Sequence, residues 1–186
     1  MDPKREKAID ELLSTEKSYL ASLKLFLAEI IIPMKKDASI LQITPKQVAS
    51  IISNIETIAN FHEVFLQELE KSRNNIASVF LKFGAFLKMY TKYINEYNQS
   101  VQTLNDLVAS NKKVADFLEQ KRSKCNGLDV MSFLIMPVQR IPRYVLLLKE
   151  VKRHTPDDHP EYEKLFEALN QIEAVAAHVN ERMIGR

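Results

Sequence analysis

The run LIMPVQRIPRYVLLLKE, residues 134–150, decides how the rest of the chain is read. Leu146, Leu147 and Leu148 in succession make a helix apolar on several faces, which predicts a central rod with neighbours on most sides. Gln139, Arg140 and Arg143 stand inside that rod, where a buried charge lacking its partner costs roughly 3–5 kcal/mol. At 3.6 residues per turn Ile135, Gln139 and Arg143 share one i, i+4 ridge, and Leu134, Val138, Ile141, Val145 and Leu148 form the adjoining core stripe. The plainer reading is a half-exposed bundle helix with a solvated edge. Pro142, between the two arginines, argues against it, because it removes a backbone donor and frees the carbonyl of Val138. Pro137 predicts a turn or kink at the start of the run. A helix bent in its most apolar stretch needs a tertiary reason, and a docking surface is one.

The sequence around this rod is helical throughout. Only 3 glycines against 46% hydrophobic residues, and no stretch alternating over a strand length between turn signals, predict an all-α protein. Asp2-Pro3 and Thr44-Pro45 each place a capping side chain before a proline at the first helical position. From the first, Ile9, Leu12, Leu13, Leu20, Leu23, Leu27 and Ile30 recur at helical spacing until Pro33 closes a helix of about 28 residues. The second opens a helix with Val48, Ile51, Ile52, Ile55, Ile58, Ala59, His62, Phe65 and Leu66 inside. A third helix is expected over residues 76–97, a shorter pair over 101–107 and 114–121, the rod from its cap Asp129 to about Arg153, and a last helix after the turn at 154–160. That last helix turns Leu165, Leu169, Ile172, Ala176 and Val179 inward. The pattern predicts a single domain over residues 1–186, an elongated antiparallel bundle of about six helices.

Several function classes are excluded or disfavoured. A net charge of +2, from 26 basic and 24 acidic side chains, gives no field that implies nucleic acid. The charged first residues argue against a secretory signal, and no apolar run reaches the ~18 residues of a membrane span, so no direct membrane anchor is expected in this chain. One cysteine, Cys125, forms no intramolecular disulfide and points to a reducing compartment, hence a cytoplasmic protein. The four histidines match no metal-ligand spacing and three scattered glycines build no phosphate loop, so no metal and no cofactor is expected. Covalent catalysis lacks a nucleophile motif.

What remains is a set of polar residues placed against helix rules. Glu16 falls on the buried face of the first helix, while Glu11, Lys17 and Lys24 lie away from it. It is either a carboxylate that reaches water or pairs with a core arginine, or one held in an apolar frame for a partner. With Gln139, Arg140 and Arg143 on the rod and Asn180 near the chain's end, it fits a protein-binding face of mixed charge.

At these residues the chain resembles a known family. ELLSTEKSYLASL (residues 11–23) looks like the first conserved region of Dbl homology domains, the exchange modules for Rho-family small GTPases. The rod's LIMPVQRIPRYVLLLKE (residues 134–150) looks like the third and most diagnostic region, and HVNERM (residues 178–183) like the end of the last helix. The resemblance implies a guanine nucleotide exchange factor for a Rac-, Rho- or Cdc42-like GTPase, acting in Rho signalling on actin without covalent chemistry. It carries the family's functional residues onto Glu16, facing the first switch, onto Gln139 and Arg143, facing the second, and onto Asn180. Ile135 matches a position that helps select the GTPase. Met136 stands where many members have lysine, and Arg140 and Lys149 match the motif as either contact or structural residues. No pleckstrin homology domain follows in this chain, so membrane recruitment is expected to rest on regions or partners outside it. The alternative is a helical adaptor that binds a partner without promoting exchange.

Overall fold

The structure, a computed structural model, describes residues 2–184, and among them it is all-α. Helix α1 (Pro3–Phe26) starts at the expected cap, the Asp2 carboxylate accepting the Lys4 N–H at 2.9 Å. It does not close at Pro33. A π-helical segment, Leu27–Ile31, carries the chain into α2 (Ile32–Lys36), and its wide turn already departs from the i to i−4 ladder that a proline would break. After α3 (Ala38–Leu41), the Thr44–Gln47 capping box opens α4 (Pro45–Ile52).

Three further helices differ from their expected bounds. Ser53, at a φ of 47°, separates α4 from α5 (Ile55–Lys71), so the expected second helix is two. Tertiary bonds hold this break: Ser53 donates to the Glu96 carboxylate at 2.6 Å and the Asn54 amide donates to the Met89 carbonyl at 3.0 Å. The third is divided at Gly84 into α6 (Ile76–Lys82) and α7 (Phe86–Ser110), which absorbs the stretch 101–107. At Gly84 a Cβ would stand 3.3 Å from the Leu81 carbonyl oxygen and 3.4 Å from the Gln171 side-chain oxygen, a tight pass. Beyond α8 (Lys112–Lys121), Asp129 caps only the short α9 (Val130–Leu134), and the rod itself is α10 (Met136–Arg153), with Pro137 in its first turn and Pro142 inside. Helix α11 (Tyr162–Ile184) is the last element of the described residues.

Helix α10 packs on α1, α7 and α11, with α1 and α11 as its two flanks. Pairs of ascending against descending number, Arg5 with Thr155 and Glu16 with Arg140, show that α1 and α10 run antiparallel. The predicted core stripe is buried as expected: Leu134, Val138, Ile141, Val145 and Leu148 are each at most 8% exposed.

One polar network ties four helices at the centre of this packing. Glu16 of α1 is fully buried. Its carboxylate accepts hydrogen bonds from Arg140 Nη2 at 2.8 Å, from the Tyr144 hydroxyl at 2.5 Å and from His62 Nδ1 at 2.6 Å. His62 Nε2 meets the Tyr90 hydroxyl at 2.6 Å, which meets Tyr19 at 2.7 Å. The Arg140 guanidinium also donates to Thr15 Oγ1 at 3.1 Å and lies 4.3 Å from the Tyr144 ring centre. Burial pushes the Glu16 carboxyl up, but attraction to His62 and Arg140, with the hydrogen bonds of His62 and Tyr144, outweighs it and brings the pKa from 4.5 down to about 2. Burial pushes the Tyr19, Tyr90 and Tyr144 hydroxyls up, so they remain protonated donors.

A carboxyl whose folded pKa lies below its unfolded value stabilises fully above about 4.5 and loses that contribution as pH falls through about 2. Glu16→Gln should therefore cost about 3–5 kcal/mol at pH 7, since it strands the Arg140 charge in the core. The gap to wild type should narrow by about 2 kcal/mol by pH 3. Urea unfolding of both proteins across this range measures it, and a pH-independent gap would refute the assignment.

Candidate functional site

The α10 ridge faces outward over the middle of its length. Gln139 and Arg143 are exposed, and Ile135 and Met136, at the head of the helix, are half-buried against the core. The helical period alone accounts for this: with the core stripe committed inward, residues 139 and 143 are turned away from it. Arg143 Nη2 donates to the carboxylate of Glu11 on α1 at 2.8 Å, and both side chains are about half exposed (45% and 53%). This pair spans the seam between α1 and α10.

On the other flank, Phe166, Asn170, Glu173, Ala177 and Asn180 are all exposed and recur at i, i+4, i+7, i+11 and i+14, one face of α11. The first three line a cleft of about 310 Å³ with Lys149, Lys152 and Arg153 of α10, so this row borders the rod. Asn180 continues the same row toward the head of the antiparallel α10. The opposite side of α11 is tied to α7, where His178 Nε2 lies 2.6 Å from Asn95 Oδ1 and Arg182 donates to the Asn95 carbonyl at 2.9 Å. Lys149 is exposed at the far end of the rod. There a second groove, of about 360 Å³, separates α10 from α1 and is lined by Lys4, Lys7, Glu11, Glu150 and Arg153.

The structure thus brings Gln139, Arg143 and Asn180 to one three-helix face, with Ile135 and Met136 at its edge. It does not bring Glu16 or Arg140 there. Both are buried, and both Glu16 oxygens already accept hydrogen bonds from core side chains, so neither residue reaches an incoming protein without breaking the core. The expected surface role of Glu16 is corrected on that ground, and Arg140 takes the structural alternative. The acidic group of α1 that stands on the face is Glu11. Local periodicity shows that Glu11 points away from the core but not that it meets Arg143, because that contact depends on the register of α1 against α10. Leu146, which lies outside the predicted core stripe, is 60% exposed.

Among the described residues no set of His, Cys, Asp and Glu side chains converges to hold a metal ion, and no helix is long and apolar enough to cross a membrane.

Comparison with known proteins agrees with this architecture. The Guanine exchange factor for Rac 30 of Dictyostelium discoideum is 38% identical over 96% of this chain, which covers 11% of that protein. FYVE, RhoGEF and PH domain-containing protein 4 of Mus musculus is 31% identical over 96% of this chain, which covers 24% of it. The chain therefore spans less than a quarter of the length of either relative. The apo structure of an activated truncation of Vav1, 26% identical, superposes with a TM-score of 0.86 over 96% of this chain and 46% of that one. The complex of PDZ-RhoGEF DH/PH domains with GTPγS-activated RhoA, 21% identical, shares the fold at a TM-score of 0.85 over 96% of this chain and 53% of that one. A sequence model described as the RhoGEF domain matches residues 8–180, a span that contains the rod, most of α1 and α11 up to Asn180, and the chain belongs to the RhoGEF domain family.

Proposed function

We propose that the chain acts as one exchange module over residues 1–186, in the cytoplasm, on a Rho-family small GTPase of the Rac type. The observation that carries this reading is the exposed α10 row of Gln139 and Arg143, flanked by Glu11 on α1 and Asn180 on α11. These side chains contribute little to the core, yet three helices converge to present them together. Relatives named as Rac exchange factors support the choice of GTPase, and the PDZ-RhoGEF complex with RhoA supports a GTPase as the kind of partner.

The proposed mechanism is binding linkage rather than bond chemistry. A protein that binds the nucleotide-free GTPase more tightly than the loaded form weakens nucleotide binding by the same factor. Gln139, Arg143 and Asn180 engage the second switch in this scheme, and Glu11, rather than the buried Glu16, supplies the acidic contact from α1 to the first. Release is accelerated for GDP and GTP alike, and the cellular excess of GTP sets the direction.

Glu11→Ala, Gln139→Ala, Arg143→Ala and Asn180→Ala should each slow release of a fluorescent GDP analogue from a Rac-type GTPase, by tenfold or more for the strongest. Their unfolding free energies should stay within about 0.5 kcal/mol of wild type, because the side chains are at the surface. Wild-type rates in all four would remove the site. In a pull-down, wild type should retain the nucleotide-free GTPase and release it when GDP and Mg²⁺ are added. Equal retention of both forms would favour a non-exchanging adaptor.

A further inference from the structure

One short stretch of α7 is bonded to both α10 and α11. Tyr93 is fully buried, and its hydroxyl donates to the Leu134 carbonyl at 2.5 Å, at the break between α9 and α10. Burial pushes that hydroxyl's pKa well up, so it remains a protonated donor. Two residues on, Asn95 takes the end of α11: its side-chain oxygen meets His178 Nε2 at 2.6 Å and its carbonyl accepts from Arg182 at 2.9 Å. His178 and Arg182 each stand two residues from Asn180, on nearly the opposite side of the helix from it. Both attachments fall where a helix does not hold its own direction. Pro137 has no N–H for the Phe133 carbonyl, so the backbone ladder is interrupted as α10 begins, and Ile135 and Met136 sit on that interruption. The Glu16–Arg140 pair fixes the rotation of the rod further along but not the angle of its head. Asn180 lies close to the end of α11, and helix ends fray unless tied down.

Resting on the exchange reading above, we infer that Tyr93 and Asn95 are positioning residues, a strut on α7 that sets the span between Ile135 and Met136 on one side and Asn180 on the other before the GTPase arrives. Neither touches the GTPase: Tyr93 is inside the bundle, and Asn95 bonds to the side of α11 turned away from Asn180. A protein without the strut holds the correct span for only part of the time, and its apparent affinity falls by that fraction. The saturated complex restores the span, so the maximal rate is kept.

The test is release of a fluorescent GDP analogue from a Rac-type GTPase, with the exchange domain titrated to saturation. Tyr93→Phe keeps the ring and deletes the bond, and should raise the concentration for half-maximal rate about fivefold, with the maximal rate within about twofold. Asn95→Ala should raise it about twofold to threefold, because that side chain is exposed and water competes for the bond. Asn95→Asp, which keeps an acceptor for His178, should restore it. Tyr93→Phe combined with Ile135→Ala, and Asn95→Ala combined with Asn180→Ala, should each lose less than the product of the single losses, since the strut acts through those residues. Ser100→Ala is the control: it deletes a buried α7 hydroxyl bonded to the Ser50 carbonyl at 2.7 Å, away from the face, and should leave the curve unchanged. An active wild type with unshifted curves for Tyr93→Phe and Asn95→Ala overturns this inference and leaves the exchange reading standing. So does a shift in Ser100→Ala as large as that in Tyr93→Phe, which would mark a general loss of stability. A wild type that releases no nucleotide from Rac-, Rho- or Cdc42-like GTPases overturns both.

Discussion

The Glu16 carboxylate, sealed among His62, Arg140 and Tyr144, is the constraint on which the bundle's arrangement depends. A buried ion pair is weak as a source of stability, because desolvating both charges offsets much of their attraction. Its value here is geometric. The carboxylate has few satisfied positions, and each donor sits on a different helix or turn: His62 on α5, Arg140 and Tyr144 on α10, with Tyr90 of α7 behind His62. A slip of any of these helices by one residue would leave a charge or hydroxyl unpaired in the core. Leucine-on-leucine contacts alone tolerate such slips far better.

The consequence is felt on the opposite side of the same rod. Arg140 and Arg143 are three residues apart, so fixing the first inward fixes the second outward. Gln139 and Leu146 take their directions from the same rotation. Pro142 lies between the two arginines without ending α10, and the tertiary contacts on both flanks hold the helix through it. The inner network thereby sets the outer surface, and a buried residue governs which way the exposed ones point.

Much of this was legible in the sequence, and what was not has a common cause. The caps at Asp2 and Thr44, the core stripe of α10 and the outward turn of Gln139 and Arg143 follow from local chemistry and one helical period. The breaks at Ser53 and Gly84 do not, because they are held by Glu96, Met89 and the approach of Gln171, all distant in the chain. Glu16 showed the same limit. Its place on the apolar face was readable, but whether it served a core arginine or a partner depended on Arg140, more than a hundred residues away. The motif match carried the family but put Glu16 on a partner surface, where the fold buries it, since sequence similarity records which residues recur and not which way they point.

The Glu11–Arg143 pair gives the centre of the proposed docking face a character of its own. The two charges cancel before any partner arrives, so the face projects little long-range attraction at that point, and encounter there is governed by diffusion rather than by steering. A partner must offer both an acceptor for the guanidinium and a donor for the carboxylate to gain from separating them. One that offers only one leaves the other charge without a counterpart at the contact. Under the proposed function, discrimination therefore falls after collision, in the lifetime of the complex, and a GTPase that lacks either complement leaves quickly.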